Sequence, residues 1–185
     1  SVGAAFDGRW ALPDPFRTPE RDAFRASMRA FVQREIAPFA DEWDEAGAIP
    51  WAVHERAGAL GVWGFGIDEA YGGLGFDDAF LRKIYNEELA LCGAGGVAAA
   101  LNGRMISVEP IARLCGDAIR TRALPRILAG TAGSCLAITE PSGGSDVAAL
   151  AATATRDGGA YRLNRCKTFI TGGMTASFFV LGART

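Results

Sequence analysis

Histidine is almost missing from this sequence: the 185 residues hold one, His54. A Ser-His-Asp triad would have to be built on that residue, and metal sites that need several imidazoles are excluded. Lysine is nearly as scarce, present only at Lys83 and Lys167, so positive charge rests on arginines scattered along the chain. With a formal net charge of -2 and no basic cluster, the sequence has no electrostatic footprint for nucleic acid. Long apolar runs are also lacking. The least polar stretch, Ala57 to Ile67, carries four glycines and falls short of a membrane span, which takes ~17 residues or more. Ser1 to Trp10 has no basic region followed by an apolar one, so no secretory leader is expected and the protein is predicted to be cytoplasmic, without a membrane partner. The four cysteines, Cys92, Cys115, Cys135 and Cys166, show no C-x-x-C spacing. They are expected to be reduced, packed thiols rather than a zinc site or a disulfide framework.

Glycine, by contrast, is plentiful at 24 residues, so Gly-dependent loops are expected beside the helices. Hydrophobic residues make up 49% and charged residues 22%, an ordinary globular composition that excludes disorder as the main state. The length admits one domain, or one domain plus part of a second.

Ala11 to Pro19 contains three prolines and reads as an extended lead-in. Thr18-Pro19-Glu20 then carries a helix-start pattern: a capping hydroxyl, proline at the first helical position, and acid in the first turn. Phe24, Met28, Phe31, Ile36, Phe39 and Trp43 mark one face of a long helix, kinked at Pro38 and ended by Gly47. A short helix is predicted from Pro50 to about Leu60, and a glycine-rich loop from Gly61 to Gly75. Asp77 or Asp78 caps a third helix bearing Phe80, Leu81, Ile84, Glu88 and Leu91, and Gly93 to Gly96 breaks it. Val97, Leu101, Met105, Val108 and Ile111 form a fourth helical face, and Asp117 caps a fifth helix ending at Gly130.

Beyond Gly130 the periodicity changes. Cys135 to Thr139 reads as a strand. Ala149 to Thr155 and Tyr161 to Ile170 flank Asp157-Gly158-Gly159, a hairpin signal, and Ser177 to Leu181 reads as another strand. The fold class is therefore α+β: residues 1–130 an N-terminal helical domain, residues 131–185 the first part of an antiparallel β-domain. Four short strands resemble half a sheet, which predicts either a fragment or a half-subunit completed by a second chain.

Three segments carry chemistry. Thr139-Glu140-Pro141-Ser142-Gly143-Gly144-Ser145-Asp146 sets hydroxyls, glycines and acids on one turn, where freed amides can hold an anion; a plain polar turn is the alternative. Lys167-Thr168-Phe169-Ile170-Thr171-Gly172-Gly173 ends a predicted strand with an aromatic face and a hydroxyl suited to a flat heteroaromatic ligand, or is simply a strand end. Tyr71-Gly72-Gly73 with Gly75 reads as a mobile loop. His54 reads as a solvated surface residue beside Glu55 and Arg56. Glu87-Glu88 reads as a solvated or ion-paired face, because adjacent helical residues do not face each other.

In this order the helical region, Asp68-Glu69-Ala70-Tyr71-Gly72-Gly73, Thr139-Glu140-Pro141, Gly144-Ser145-Asp146, Arg156-Asp157-Gly158, Leu163-Asn164, Lys167-Thr168-Phe169-Ile170-Thr171 and Ala183-Arg184-Thr185 resemble acyl-CoA dehydrogenases. The resemblance runs from about Thr18 to Thr185. It implies a three-part subunit of helical domain, β-domain and C-terminal four-helix domain, of which this chain supplies the first part and about half of the second. It also implies FAD as cofactor and an acyl-CoA substrate oxidised at Cα–Cβ to the trans-2-enoyl-CoA, with an acyl-CoA oxidase as the alternative within the class. Electron-transferring flavoprotein is the acceptor implied, in a homotetramer or hetero-oligomer.

Carried over by position, the resemblance puts Leu136, Ala137, Ile138 and Thr139 along the flavin ring, and Ser145 by the FAD pyrophosphate and near the substrate. Phe169 would pack on the isoalloxazine where the family commonly has Trp, with Ile170 and Thr171 beside it. Leu136 stands where many relatives have Tyr or Phe, Gly172 replaces a frequent Asn, and Arg165-Cys166 replaces a common Gly plus polar residue. The family's catalytic Glu is expected outside this chain, and no metal ligands are implied.

Overall fold

A computed structural model describes residues 15–185. Residues 11–14 of the proline-rich lead-in, like Ser1 to Trp10, lie outside the described residues. The first helix, α1 (Pro19–Phe31), starts as its sequence directs: the Thr18 hydroxyl accepts the Arg21 amide hydrogen, and Pro19 occupies the first turn. The long amphipathic pattern is then broken earlier than the proline itself. Residues Val32–Ile36 widen into a π turn and Ala37–Phe39 tighten into a 3₁₀ turn before α2 (Ala40–Ala46). Pro38 offers no N–H and crowds the carbonyl four residues back, so the hydrogen-bond ladder changes pitch over the preceding turn. Gly47, at φ +64°, closes α2 in the left-handed conformation.

Helix α3 (Trp51–Ala59) follows Pro50. Asp78 caps α4 (Ala79–Ala90) by accepting the Phe80 amide hydrogen at 2.8 Å. The long helix α5 (Gly95–Leu114) leads into α6 (Asp117–Leu128), whose N-cap is Gly116, with Asp117 one residue inside. Met28, Ile36, Ala57, Val62, Tyr85, Leu89, Leu101, Leu124 and Ile127 join in one core between these helices, each at most 1% exposed.

The expected mobile loop is packed. Asp68 caps a 3₁₀ turn at Glu69–Tyr71, and a Cβ on Gly73 would overlap the Ile67 carbonyl. The Tyr71 hydroxyl also reaches Asp117 at 3.2 Å, joining the turn to α6.

The β-structure comprises β1 (Gly133–Ala137), β2 (Thr153–Asp157), β3 (Ala160–Asn164) and β4 (Ala176–Leu181). Strands β2 and β3 form the antiparallel hairpin expected around Gly158-Gly159, in the register Asp157↔Ala160 through Thr153↔Asn164. The expectation of antiparallel structure throughout is corrected at the other pair. Strand β1 pairs with β4 in parallel, from Gly133↔Ala176 to Ala137↔Leu181, because the chain leaves β1, runs out through the hairpin and re-enters beside its starting point. Helix α5 lies against both strands. It is fixed to β1 by a 2.6 Å Ser107–Ser134 hydroxyl contact and by Arg104 donating to the Ala132 carbonyl at 2.7 Å.

Candidate functional site

Strand β1 ends where the first motif begins, and its backbone alternation decides what can reach a ligand. The Ala137 carbonyl accepts the Gly182 amide hydrogen at 3.1 Å, so Ala137 faces β4. Leu136 and Ile138 therefore turn their N–H and C=O groups to the opposite edge, which carries no strand among the described residues. The Ile138 carbonyl on that edge accepts from Lys167 Nζ at 2.8 Å. Edge amides of this kind are ready donors for a polar ring system.

Beside this edge lies an open cleft of about 290 Å³ between α5 and the β-structure. It is lined by Ala99, Asn102, Gly103 and Ile106 of α5 and by Leu136, Phe169 and Thr171. Three of the sequence-predicted cofactor residues thus meet in one place. Asn102, Gly103 and Ile106 of the α5 wall were missed by sequence reasoning: they looked like ordinary helix positions, and of the three only the exposed Ile106 breaks the expected burial pattern. Gly103 matters locally, since a Cβ there would stand 3.3 Å from Thr171 Cγ2. The hydroxyls of Thr139 and Thr171 accept or donate no hydrogen bond among the described residues.

The remaining predicted residues are distributed around the cleft rather than in it. Ala137 is buried, while Ile138, Thr139 and Ile170 are half-buried. Ser145 is exposed on the turn and lines neither this cleft nor the smaller cavity of about 140 Å³ formed by Glu140, Ser142, Gly143, Asp146, Ala149 and Leu150.

The second motif does not end a strand, as its sequence suggested. Strand β3 stops at Asn164, and residues 165–175 are irregular. Arg165 has φ +123° and Phe169 φ +55°, the two non-glycine residues with positive φ among the described residues. Left-handed backbone costs a residue with a Cβ ~1–2 kcal/mol. Phe169 is held there 91% exposed, so an apolar side chain is displayed to solvent at a conformational cost.

What holds this segment is a pair of residues quoted in the motifs but given no role by the sequence. Glu140 and Lys167 form an ion pair at 2.9 Å, with side chains 3% and 8% exposed. The Glu140 carboxylate also accepts the amide hydrogens of Ala151 at 2.9 Å and Ala152 at 2.8 Å. The hydrogen bond from Lys167, with those two amides, pulls its pKa down to about 2 despite the opposing effect of burial. Next door, the Thr168 amide donates to the Thr139 carbonyl at 3.0 Å. Arg184 closes the far side, donating to the carbonyls of Leu150 and Ala148.

Two other expectations are corrected here. His54 is buried, 7% exposed, between the rings of Trp51 and Trp63, and its Nδ1 has no hydrogen-bond partner among the described residues. Burial, and then the Arg104 charge, push its pKa down to about 4. Arg104 is itself buried, stacked on both indoles. Cys166 is exposed rather than packed, because it lies in the irregular segment, while Cys135 is buried and Cys92 and Cys115 are half-buried; all four are free thiols. The Glu87-Glu88 face is ion-paired: Glu88, 1% exposed, receives Arg25 and Arg29 at 2.8 Å each, and Glu87 receives Arg25 and Lys83. Among the described residues no three His, Cys, Asp or Glu side chains cluster as metal ligands, and no helix is long and apolar enough to cross a membrane.

Comparison with known proteins bears on this geometry. Residues 18–131 match the family described as "Acyl-CoA dehydrogenase, N-terminal domain", and residues 135–185 match "Acyl-CoA dehydrogenase, middle domain". The pig long-chain specific acyl-CoA dehydrogenase of mitochondria is 33% identical over 166 residues, covering 90% of this chain and 38% of that protein. A crystal structure from Mycobacterium smegmatis, assigned as an acyl-CoA dehydrogenase, superposes with a TM-score of 0.87 at 40% identity, covering 93% of this chain and 45% of the other. The glutaryl-CoA dehydrogenase of the same organism, in complex with FADH2, gives 0.83 at 28% identity, covering 90% and 43%. The chain thus spans less than half the length of each of these relatives.

Proposed function

The chain belongs to the acyl-CoA dehydrogenase family, and from that premise we propose that its residues form the helical and first β-structured parts of an FAD-dependent enzyme. The reaction proposed is α,β-dehydrogenation of an acyl-CoA thioester to the trans-2-enoyl-CoA. One observation carries the reading: Leu136, Phe169 and Thr171 meet in a single cleft, beside a strand edge whose Leu136 and Ile138 amides point outward. An exposed aromatic ring, edge amide donors and a free hydroxyl are the donor set a flat, polar-edged ring system requires.

When bound, FAD supplies the hydride acceptor that no side chain provides. The chain's own residues do the positioning. The Leu136 and Ile138 amides would donate to the polar edge of the ring system, and Thr171 would offer its hydroxyl at the cleft wall. Phe169 would cover one face with apolar surface and exclude water from it, while Ala99, Gly103 and Ile106 give the α5 side an apolar surface interrupted by the Asn102 amide. Ala137, Ile138, Thr139 and Ile170 lie beside the cleft rather than in it and would hold its lining residues in place, and Ser145, exposed on the neighbouring turn, would meet the cofactor beyond the cleft.

Removing the α-proton needs a base within hydrogen-bond reach, ~2.6–3.2 Å. No carboxylate lines the cleft among the described residues, and we place the base, a Glu, outside these 185 residues. Electron-transferring flavoprotein is the proposed acceptor, in a cytoplasmic homotetramer or hetero-oligomer. The test is to purify the whole protein carrying these residues, measure its FAD content, and mix it without oxygen with short, branched and long acyl-CoAs. Bound FAD whose visible band bleaches with at least one acyl-CoA is expected. A protein without flavin, or flavin that no acyl-CoA bleaches, overturns the proposal. The 185 residues alone, given FAD, are expected not to turn over.

A further inference from the structure

We infer that the Glu140–Lys167 ion pair is a positioning device, which holds the segment carrying Phe169 and Thr171 in the shape that completes the cleft. The inference rests on the cofactor reading above for its functional half. Its structural half stands independently.

The placement of the bonds carries it. Residues 165–169 begin and end on the two non-glycine residues with positive φ, Arg165 and Phe169. Strained backbone persists only where its surroundings over-determine it. Between those two residues the segment has two anchors to the rest of the protein, and both land on consecutive positions of the β1 exit. Lys167 Nζ holds the Ile138 carbonyl at 2.8 Å and Glu140 Oε1 at 2.9 Å, and the Thr168 amide holds the Thr139 carbonyl at 3.0 Å. One ammonium therefore ties the irregular segment to the outward-facing edge of β1 and to the turn that follows it. Glu140 extends the same connection to Ala151 and Ala152. The pair is buried, and the carboxylate stays ionised far below neutral pH, so the clamp is not released by ordinary changes of pH.

Lysine suits this position for a geometric reason. A compact ammonium can satisfy a carbonyl and a carboxylate at different angles, whereas a methionine of similar length satisfies neither. With the clamp removed, the Thr168 amide is the one remaining hydrogen bond from residues 165–169 to the β1 exit, and Phe169 is freed to relax to negative φ. The ring then leaves the cleft wall although Phe169 and Thr171 are themselves unchanged.

Two measurements on Lys167→Met, Lys167→Arg and Glu140→Gln test this. The first is amide hydrogen exchange of residues 165–171 in the 185-residue chain without flavin. Exchange at least tenfold faster in Lys167→Met, with protection of α5 and β1 retained, is expected, and Lys167→Arg should restore most of the protection. The second is FAD affinity and the visible circular dichroism of bound flavin in the whole protein. Lys167→Met is expected to weaken FAD at least tenfold and to alter that spectrum, with Lys167→Arg within about threefold of wild type and Glu140→Gln between the two. Unchanged exchange in Lys167→Met overturns the inference outright. Faster exchange with unchanged flavin affinity and spectrum overturns its functional half and leaves the pair a merely structural tie. A wild-type protein that binds no FAD sinks the proposed function instead, and the exchange result then decides the structural half alone.

Discussion

Acidification from about pH 7.5 to pH 5 should weaken the fold through one residue. The sequence has a single histidine, so His54 is the side chain expected to titrate in this window. Its ring lies between Trp51 and Trp63, its Nδ1 is unpartnered, and the buried Arg104 charge faces it. Burial, and then the Arg104 charge, disfavour a second positive charge. The fold holds His54 neutral down to about pH 4, while the unfolded chain takes a proton near pH 6.5. Stability is therefore full above roughly pH 7, is lost as pH falls from 6.5 to 4, and loses nothing further from this residue below that.

Integrated between about pH 7.5 and 5, the difference comes to ~2 kcal/mol, of a total near 3 kcal/mol by pH 4. Glu87, Glu88 and Glu140 all have pKa values lowered below the usual carboxylate range, so their contributions disappear only at still lower pH. The assay is urea denaturation at closely spaced pH values for the wild type and for His54→Phe, which keeps an aromatic ring between the indoles. The wild-type midpoint should fall toward pH 5 while that of the variant stays flat. Parallel pH profiles for the two proteins would refute the assignment, as would a single imidazole resonance titrating near pH 6.5 in the folded chain.

Phe169→Gly should stabilise the fold slightly, by up to ~1 kcal/mol, because glycine adopts positive φ freely; in the whole protein the same change should reduce retained flavin, measured by absorbance after gel filtration. Leu101→Ala, at a position with no exposed surface, should cost about 3 kcal/mol by denaturant unfolding. Glu88→Gln leaves Arg25 and Arg29 facing a buried neutral group, and a loss of roughly 2 kcal/mol is expected, since both arginines keep partial access to water.

How much of this was legible depended on the range of the physics involved. Thr18 and Asp78 cap their helices through hydroxyl and carboxylate contacts two or three residues away, so composition over one turn sufficed. Pro38 announced its kink for the same reason, although the π turn it provokes lies upstream of it. The β2–β3 hairpin was carried by Asp157-Gly158-Gly159 between two strand-like runs. His54 failed because its burial depends on Trp63, in the following loop, and on Arg104, 50 residues on in another helix. Residues 165–170 failed because their β-prone composition is overridden by two tethers to residues 138–140. The candidate cleft was half legible: Leu136, Phe169 and Thr171 were named, but nothing in Ala99, Asn102 or Ile106 distinguishes a cleft wall from any other amphipathic helix.

The parallel pairing of β1 with β4 has a consequence for how the chain is made. Strand β1 ends at Ala137 and β4 begins at Ala176, so on a ribosome adding ~5–20 residues per second β1 waits ~2–8 seconds for its partner. Closing a loop of about 40 residues carries an entropic cost near 3 kcal/mol beyond a constant. Throughout that interval β1 has α5 for support, through Ser107, Ser134 and Arg104. Support of β1 before β4 arrives therefore falls to α5, and a defect in α5 is expected to slow formation of the β1–β4 pair in refolding.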